Sequence, residues 1–370
     1  MRLVTLAEDR PGERRVAVVP DTVGRLAGLG FDVAVQAGAG AAALATDAAY
    51  EAAGASVFPA QEAPSAVAAA DVVATVRALP APLAAALRPG AVSLSLLQPA
   101  ADPQTVQAVA AAGATLLSFE RVPRIARAQP MDALTSQSLV TGYRAALVAA
   151  DLLPRFFPLF MTAAGTIPPA RVLVIGAGVA GLQAIATARR LGAVVSAYDV
   201  RPASADEVRS VGATFIDLGL DVIEGAGGYA REMAAERAAM QQELLTPYVA
   251  ASDVVITTAL VPGRPAPQLV SAEMLATMAP GTVAVDLASE SGGNIAGSVP
   301  GQTVTVGGVT VWGGRDVASQ LPVHASRLYA MNVVALAGLL VADGSLAVDA
   351  DDEIIAAAAV VLAGDVREGV

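Results

Sequence analysis

Residue types that carry much of enzyme chemistry are missing or nearly missing from this sequence. It has no cysteine and no lysine, since all 23 basic residues are arginine, and its one histidine is His324. The lack of cysteine excludes disulfides, thiolate nucleophiles and zinc–thiolate sites, and the lack of lysine excludes Schiff bases and P-loops. A general acid or base would have to be a carboxylate, a tyrosine or His324. The composition therefore favours chemistry that needs no proton donor, such as the direct transfer of a hydride.

Long apolar runs and excess positive charge are also absent. The longest apolar stretches, residues 331–342 and 354–364, are shorter than the roughly 20 residues that a membrane-spanning helix needs. Acidic side chains follow the start of the chain too closely for a signal peptide. With 34 acidic against 23 basic residues the net charge is -11, which disfavours nucleic-acid binding. We expect a cytoplasmic protein with no nucleic-acid partner, no metal site and no segment inserted in a membrane.

The first third of the chain alternates short β-rich runs with alanine-rich helical stretches, such as residues 21–29 and 103–112. This alternation is typical of a mostly parallel sheet covered by helices on both faces. The predicted strands are residues 3–6, 16–19, 31–35, 71–76, 92–97 and 115–119.

A long helix over residues 131–155 and a link at 165–170 lead into a second set of strands. A further helix over 321–340 then suggests that the chain returns to complete its first domain. We therefore expect two Rossmann-like, doubly wound parallel-sheet α/β domains, the first of them discontinuous. Their expected bounds are 1–136 with 319–370, and 137–318. The later predicted strands are residues 194–199, 213–216, 253–257, 282–286 and 309–312.

Residues 171–201 contain every part of a dinucleotide-binding unit. A hydrophobic strand meets Gly176, which permits a sharp turn; Gly178 lets the backbone approach a pyrophosphate, and Gly181 lets the following helix pack closely. The start of that helix would direct its free N–H groups at the phosphates. A second strand ends in Asp199, which can accept hydrogen bonds from ribose hydroxyls. The predicted contacts of this unit are Gly176, Ala177, Gly178, Val179, Gly181, Asp199, Val200 and Arg201.

Two neighbouring residues give opposite indications about which dinucleotide binds. A carboxylate at Asp199 would repel the 2′-phosphate of NADP(H), whereas Arg201 could accept it. Because Asp199 occupies the end of the strand, we give it more weight and predict NAD(H) as the cofactor of this chain.

The resemblance extends beyond this unit. Residues 9–20 (DRPGERRVAVVP), 36–40 (QAGAG), 259–267 (ALVPGRPAP) and 285–288 (VDLA) resemble the alanine dehydrogenase/transhydrogenase family along nearly the whole chain. Arg15 matches the arginine with which alanine dehydrogenases bind their substrate. Their catalytic lysine, histidine and aspartate positions hold Arg77, Gln98 and Glu290 here. Arginine stays charged and glutamine has no proton to give, so this resemblance implies impaired amino-acid oxidation.

Residues 123–138 (PRIARAQPMDALTSQS) resemble the signature loop of the NAD(H)-binding subunit of proton-translocating NAD(P) transhydrogenase. By that resemblance Arg124, Gln129 and Asp132 hold the dihydronicotinamide and the pyrophosphate at the domain cleft. Thr135 stands where the family has a serine and keeps the hydroxyl. The simpler interpretation of Arg124 and Asp132 is an ordinary interdomain ion pair. The further nucleotide contacts implied on this loop are Ile125, Ala126, Pro130, Met131 and Thr135.

Residues 217–243 resemble the mobile loop of the same family, with Gly225, Gly227 and Gly228 as hinges and Tyr229 closing over bound nucleotide. Outside this loop's glycines and tyrosine, the resemblance implies nucleotide contacts at Gln241, Ala259 and Leu260. The family gives His324 no role, and a packed or solvated histidine is the simpler interpretation.

These resemblances imply direct hydride transfer from NADH on this chain to NADP⁺ on a partner chain, coupled in the full complex to proton translocation. NADP(H)-binding and membrane-embedded transhydrogenase subunits would then be partners, holding this chain, as a homodimer inactive alone, at the cytoplasmic face of the membrane. The chain ends where the family's NAD(H) domain ends, which suggests a separate subunit. Two alternatives stay open: an amino-acid dehydrogenase in which Glu290 or Tyr229 replaces the missing acid/base pair, and a non-catalytic NAD(H)-binding regulatory module.

Overall fold

A computed structural model describes residues 1–220, 235–260 and 264–367. The chain divides into two compact units. The first unit comprises Met1–Gln137 and Ser319–Val370, and the second comprises Ser138–Ala318. Each unit has its own sheet and its own apolar core, and each is described by itself.

The N-terminal part of the first unit alternates strands and helices. Its strands are β1 (Arg2–Thr5), β2 (Asp32–Gln36), β3 (Ser56–Phe58), β4 (Val72–Arg77), β5 (Val92–Leu96) and β6 (Thr115–Ser118). Its helices are α1 (Pro20–Gly28), α2 (Asp47–Ala52), α3 (Ala63–Ala68), α4 (Ala81–Ala84) and α5 (Pro103–Ala111).

A long helix, α6 (Ala133–Leu152), begins in the first unit and continues into the second. The strands of the second unit are β7 (Phe160–Thr162), β8 (Gly165–Ile167), β9 (Arg171–Ile175), β10 (Val194–Tyr198), β11 (Thr214–Phe215), β12 (Val254–Thr257), β13 (Val283–Asp286), β14 (Thr303–Val306) and β15 (Val309–Gly313). Its remaining helices are α7 (Val179–Arg190), α8 (Ser204–Ser210), α9 (Ala235–Ala250) and α10 (Ala272–Ala276).

The chain then returns to the first unit. The returning elements are α11 (Pro322–Gly338), β16 (Val341–Ala342), β17 (Ser345–Leu346), α12 (Glu353–Ala358), β18 (Ala359–Leu362) and β19 (Asp365–Val366). Strand β18 pairs antiparallel with β6, and β19 pairs antiparallel with β18, so the C-terminal segment extends the sheet of the first unit.

Both main sheets have the doubly wound strand order that the sequence predicts. In the first unit the order is β19-β18-β6-β5-β4-β1-β2-β3, and β1 to β6 are parallel. In the second it is β11-β10-β9-β12-β13-β15-β14, parallel except for β14 at one edge. This confirms the predicted α/β class with two Rossmann-like sheets.

Apolar side chains cover both faces of each sheet. Along β9, Val172 and Val174 pack into one core cluster while Leu173 and Ile175 pack into another. Because successive side chains of a strand point to opposite faces, a strand buried on both sides has the continuous apolar sequence seen here. Nowhere in residues 1–220, 235–260 and 264–367 is a helix long and apolar enough to cross a membrane.

The prediction of a strand at residues 16–19 is wrong. This segment is buried, but its backbone groups are bonded to side chains rather than to a neighbouring strand. The Val16 N–H donates to the Ser326 hydroxyl at 3.0 Å, and the Val18 carbonyl accepts from the Tyr50 hydroxyl at 2.7 Å. An apolar run of four residues therefore became an extended segment packed beside the sheet.

Candidate functional site

The turn between β9 and α7 depends on glycine at two positions. Gly176 has a φ of +101°, and a Cβ there would lie 2.5 Å from Thr258 Oγ1. A Cβ on Gly181 would overlap the carbonyl oxygen of Gly176. At Gly178, by contrast, a Cβ would meet no atom within 4 Å. The helix therefore packs tightly against the strand, while the side of the turn at Gly178 is open to a ligand.

The beginning of α7 has the properties of an anion site. Gly178 precedes the helix as its N-cap and has no side chain with which to satisfy the first N–H groups. Val179, the first helical residue, is exposed. The helix has 12 residues, with Arg189 and Arg190 in its last turn, so its dipole is favourably placed for a phosphate at the opposite end.

Asp199, which follows β10, fixes this turn. Its Oδ2 accepts a hydrogen bond from the Ala177 N–H at 2.7 Å, and the residue is 9 % exposed. Its Oδ1 accepts from the backbone N–H of Arg201 at 2.8 Å. The Arg201 guanidinium also folds onto the same carboxylate. The strand-end aspartate is thus adjacent to the glycine turn, as the sequence predicts.

A cavity of about 340 Å³ lies beside Asp199, at the ends of β10 and β11. This volume is within the range of small-ligand pockets. Val200 and Ile216 contribute apolar walls, and Tyr198 and Asp217 contribute polar groups. Burial raises the pKa of Tyr198 to about 12, so the phenol keeps its proton at neutral pH. The cavity could take the adenosine end of a dinucleotide.

A buried polar network holds the end of β12, where the sequence predicts contacts at Ala259 and Leu260. The Asn294 side chain accepts from the Ala259 N–H at 3.0 Å and donates to the Ala259 carbonyl at 2.9 Å. Asp286 in turn accepts from the Asn294 N–H at 2.9 Å. Leu260 is half exposed. Sequence reasoning missed the role of Asn294, for which a buried carboxylate followed by a Gly-Gly-Asn run was the available signal.

Other predicted contacts of the second unit are placed only in part. Gln241 lies on α9 and is buried, and within the described residues its Oε1 has no hydrogen-bond partner. Gly228 and Tyr229, with the proposed hinges Gly225 and Gly227, lie outside the described residues.

In the first unit, the predicted signature loop is anchored at its end. Met131 is buried in the core, and the Pro130 carbonyl accepts a hydrogen bond from Asn332 Nδ2 at 2.7 Å. Asn332 Oδ1 also accepts from the Ser136 hydroxyl at 2.7 Å. The sequence analysis did not identify Asn332. Ile125 is partly buried, and the exposed members of the loop are Arg124, Ala126, Gln129 and Pro130.

Asp132 has a structural role at the start of α6. Its Oδ1 accepts from the Thr135 N–H at 2.8 Å, and its Oδ2 accepts from the Thr135 hydroxyl at 2.6 Å. This is the geometry of a helix N-cap, in which an aspartate satisfies an N–H of the first turn. Thr135 therefore positions the carboxylate, and the proposed contact of Asp132 with a nicotinamide ring stays a prediction.

The residues that match the substrate site of an amino-acid dehydrogenase are bonded to one another. Arg15 donates from Nε and Nη2 to Glu13 at 2.7 and 2.6 Å, and from Nη1 to Gln137 Oε1 at 2.8 Å. Arg77 donates from Nε to the same Glu13 at 2.9 Å. Burial raises the pKa of Glu13, but hydrogen bonds and charge from Arg15, with the charge of Arg77, outweigh burial and lower it to about 2.

Two further carboxyl groups of the first unit have raised pKa values. Burial raises the pKa of Glu8 to about 7, against the opposing effect of hydrogen bonds from the Val76 and Arg77 N–H groups. Burial also raises the pKa of Glu120, against a hydrogen bond from Gln98. Gln98, at the position of the dehydrogenase histidine, is thus engaged with a neighbouring glutamate.

The remaining candidates lie at the surface. Glu290 is exposed and accepts a hydrogen bond from the Asp316 N–H at 2.9 Å. His324 is exposed in the first turn of α11. Within the part of the chain that the structure describes, no group of three or more acidic or histidine side chains could hold a metal ion.

Comparison with protein families gives two matches that together span almost the whole chain. Residues 4–141 match the N-terminal domain of the alanine dehydrogenase/PNT family. Residues 145–369 match the C-terminal domain of the same family.

Individual relatives agree with these matches. An NAD(P) transhydrogenase subunit alpha of Rhodospirillum rubrum is 46% identical over 345 residues, which cover 90% of this chain and 88% of the relative. A crystal structure of transhydrogenase from Sinorhizobium meliloti has a TM-score of 0.88 and 45% identity, covering 99% of this chain and 100% of that one. Alanine dehydrogenase of Mycobacterium tuberculosis is 35% identical over 303 residues, covering 81% of this chain and 76% of the relative.

Proposed function

Because the chain belongs to the alanine dehydrogenase/PNT family, we propose that it is the NAD(H)-binding subunit of an NAD(P) transhydrogenase. In this function it binds NADH and delivers a hydride directly to NADP⁺ held by a partner subunit. The higher identity to a transhydrogenase subunit than to an alanine dehydrogenase, 46% against 35%, favours this member of the family.

The observation that carries the proposal is the geometry around the glycine turn. The open side of Gly178, the uncapped start of α7 and the carboxylate of Asp199 are joined by the hydrogen bond from the Ala177 N–H. Backbone N–H groups would hold the pyrophosphate, and Asp199 would accept the ribose hydroxyls. The cavity beside Asp199 would take the adenine.

The signature loop supplies the other half of the proposed site. When bound, NADH supplies the hydride from its nicotinamide ring. Arg124, Gln129 and Asp132 would orient that ring, and the anchoring of the loop by Asn332 through the Pro130 carbonyl would limit its movement. Fixed orientation of two reactants is itself a large source of rate acceleration. These residues need to move no proton, which suits a chain without lysine and cysteine.

We propose that NADP(H) and the membrane-spanning segments are on other chains of the complex, where hydride transfer is coupled to proton translocation. This chain would then sit at the cytoplasmic face of the membrane through its partners, and would be inactive without them. A name of the form subunit alpha, carried by the Rhodospirillum rubrum relative, supports an assembly of several subunits.

We also propose that the chain forms a homodimer through the hairpin of β7 and β8. Among the described residues these two strands form a sheet of their own. Phe156, Phe160, Met161 and Ile167 are exposed on and beside it, and residues 156–170 contain no charged side chain. In a chain with a net charge of -11, an uncharged apolar surface is where two copies can approach without repulsion.

The contacts of Arg15 weigh against an amino-acid dehydrogenase. Glu13 and Gln137 occupy the guanidinium that would have to bind a substrate carboxylate, and Glu13 also holds Arg77. A substrate would have to displace buried ion pairs, which leaves charges unpaired at high cost. A regulatory module without catalysis differs from the proposal only in lacking hydride transfer.

The test mixes the purified chain with an NADP(H)-binding transhydrogenase domain and follows hydride transfer from NADH to an NADP⁺ analogue by absorbance. We expect transfer by the wild type. We expect Arg124→Ala and Asp132→Asn to reduce its rate at least about tenfold while NADH still binds. NADH binding without transfer would favour the regulatory module, and oxidation of an amino acid by the chain alone would favour the dehydrogenase.

The choice of Asp132→Asn separates the two roles of this residue. Asparagine is as good an N-cap as aspartate, so this variant keeps the start of α6 while removing the charge. Asp132→Ala removes both and should in addition lower the free energy of unfolding by about 1 kcal/mol. If Asp132→Asn transfers hydride at the wild-type rate and only Asp132→Ala is impaired, Asp132 is a helix cap and nothing more.

A further inference from the structure

The carboxylate of Asp199 already has as many hydrogen-bond donors as it can accept. Oδ1 accepts from the Arg201 N–H at 2.8 Å and from Arg201 Nε at 2.9 Å. Oδ2 accepts from the Ala177 N–H at 2.7 Å and from Arg201 Nη2 at 3.0 Å. A carboxylate has about four acceptor positions, and here all of them are in use.

Only two of these four donors can leave. The Ala177 N–H belongs to the glycine turn, and the Arg201 N–H belongs to the backbone just beyond β10, so both are fixed by the fold. The guanidinium of Arg201 is at the end of a flexible side chain that is 24% exposed. A ribose with two free hydroxyls needs two acceptor positions. It can obtain them on Asp199 only where the guanidinium now lies.

The displaced guanidinium would stay close to the ribose. Arg201 is joined to the Asp199 position by one intervening residue, and Glu207 on α8 attracts it electrostatically. The cavity beside Asp199 gives the side chain room to move. An arginine at this position can pair with a 2′-phosphate, and arginine forms strong two-point contacts with phosphate.

We propose that Arg201 is a specificity-determining residue that competes with the ribose for Asp199. It weakens NAD(H) binding and reduces the discrimination against 2′-phosphorylated nucleotides that Asp199 alone would impose. The inference rests on the proposed NAD(H) function, and it assigns the apparently contradictory Asp199 and Arg201 to one competing pair.

The test measures the dissociation constants of NADH and NADPH for the wild-type chain and for Arg201→Gln by isothermal titration calorimetry. Freeing Asp199 should lower the dissociation constant of NADH by about fivefold, the effect of removing one partly exposed ion pair. Loss of the cation should at the same time weaken NADPH. We therefore expect the ratio of the NADPH to the NADH dissociation constant to rise at least about tenfold.

Arg190→Gln is the matched control, since it removes the same charge from the opposite end of α7. It should leave the ratio unchanged. If Arg201→Gln weakens NADH and NADPH equally, or weakens NADH alone, Arg201 is an ordinary nucleotide contact and the inference is wrong. If the wild-type chain binds no NADH, the proposed function itself fails, and the inference falls with it.

Discussion

Glu8 and Glu13 are both buried in the first unit, yet their pKa values move in opposite directions. Burial dominates at Glu8 and raises its pKa to about 7. At Glu13, Arg15 and Arg77 outweigh burial and lower the pKa to about 2. Charged partners, and not depth alone, therefore decide which carboxylate stays ionised at neutral pH. Glu13 thereby remains a permanent anion that holds two arginines in place.

The raised pKa of Glu8 makes the stability of the chain depend on pH. A carboxyl whose pKa is higher in the folded than in the unfolded state stabilises the fold below the unfolded value. That stabilisation is lost as the pH rises through the folded value. A shift from 4.5 to about 7 corresponds to about 3 kcal/mol of unfolding free energy between pH 4.5 and 7. Glu8→Gln removes this loss, so its melting temperature should rise relative to wild type between pH 5 and pH 8.

The exposed Glu51→Gln in the same unit is the control and should show a constant difference from wild type over this range. The interval avoids Glu13, whose contribution is present above pH 4.5 and is lost only as the pH falls towards 2. A melting-temperature difference between Glu8→Gln and wild type that does not change with pH would contradict the raised pKa.

Single residues also show where sequence reasoning reaches its limit. The glycine turn and Asp199 were predictable because their roles depend on residues within one strand–turn–helix unit. The roles of Asn294 and Asn332 were not, since their partners Ala259 and Pro130 are far away in sequence. The cap at Asp132 left a local signal, an aspartate three positions before Thr135 at the start of a helical run.

At the scale of the elements, the strands that are buried on both faces were the most predictable. The predictions at 92–97 and 309–312 differ from β5 and β15 by one residue at an end. The short or exposed strands β3, β7, β8 and β14 were missed because their composition does not distinguish them from loops. The segment at 16–19 was wrongly assigned because Ser326 and Tyr50, which bond its backbone, lie elsewhere in the chain.

The β7–β8 hairpin offers a test of the proposed homodimer. Met161 is 75% exposed, so a charge there should not disturb the fold of one copy. Met161→Glu would place a negative charge on each copy within a paired apolar surface. We expect it to shift the chain from dimer to monomer in sedimentation velocity at micromolar concentration.

The matched control is Met240→Glu, which introduces the same charge at another exposed methionine, on α9. It should leave the dimer intact, and both variants should keep the wild-type circular dichroism spectrum. A Met161→Glu chain that stays dimeric would show that the hairpin is not the surface by which two copies associate.

At the scale of the whole molecule, the sequence and the two units are consistent with one division of labour. The second unit contains the glycine turn, the uncapped helix and Asp199, which together suit binding of a dinucleotide. The first unit contains the anchored loop and a cluster of buried charges that Glu13 holds closed. A chain so poor in groups that transfer protons is suited to transfer of a hydride that comes from a bound nucleotide.

The central claim is that this hydride passes directly from NADH on this chain to NADP⁺ on a partner. The most direct test supplies NADH carrying deuterium at the transferred position of C4, in ordinary water, to the chain and an NADP(H)-binding transhydrogenase domain. Mass spectrometry of the product then locates the label. Direct transfer predicts that the NADPH formed carries the deuterium in full. NADPH without deuterium, or with a label diluted by hydrogen from solvent, would contradict it.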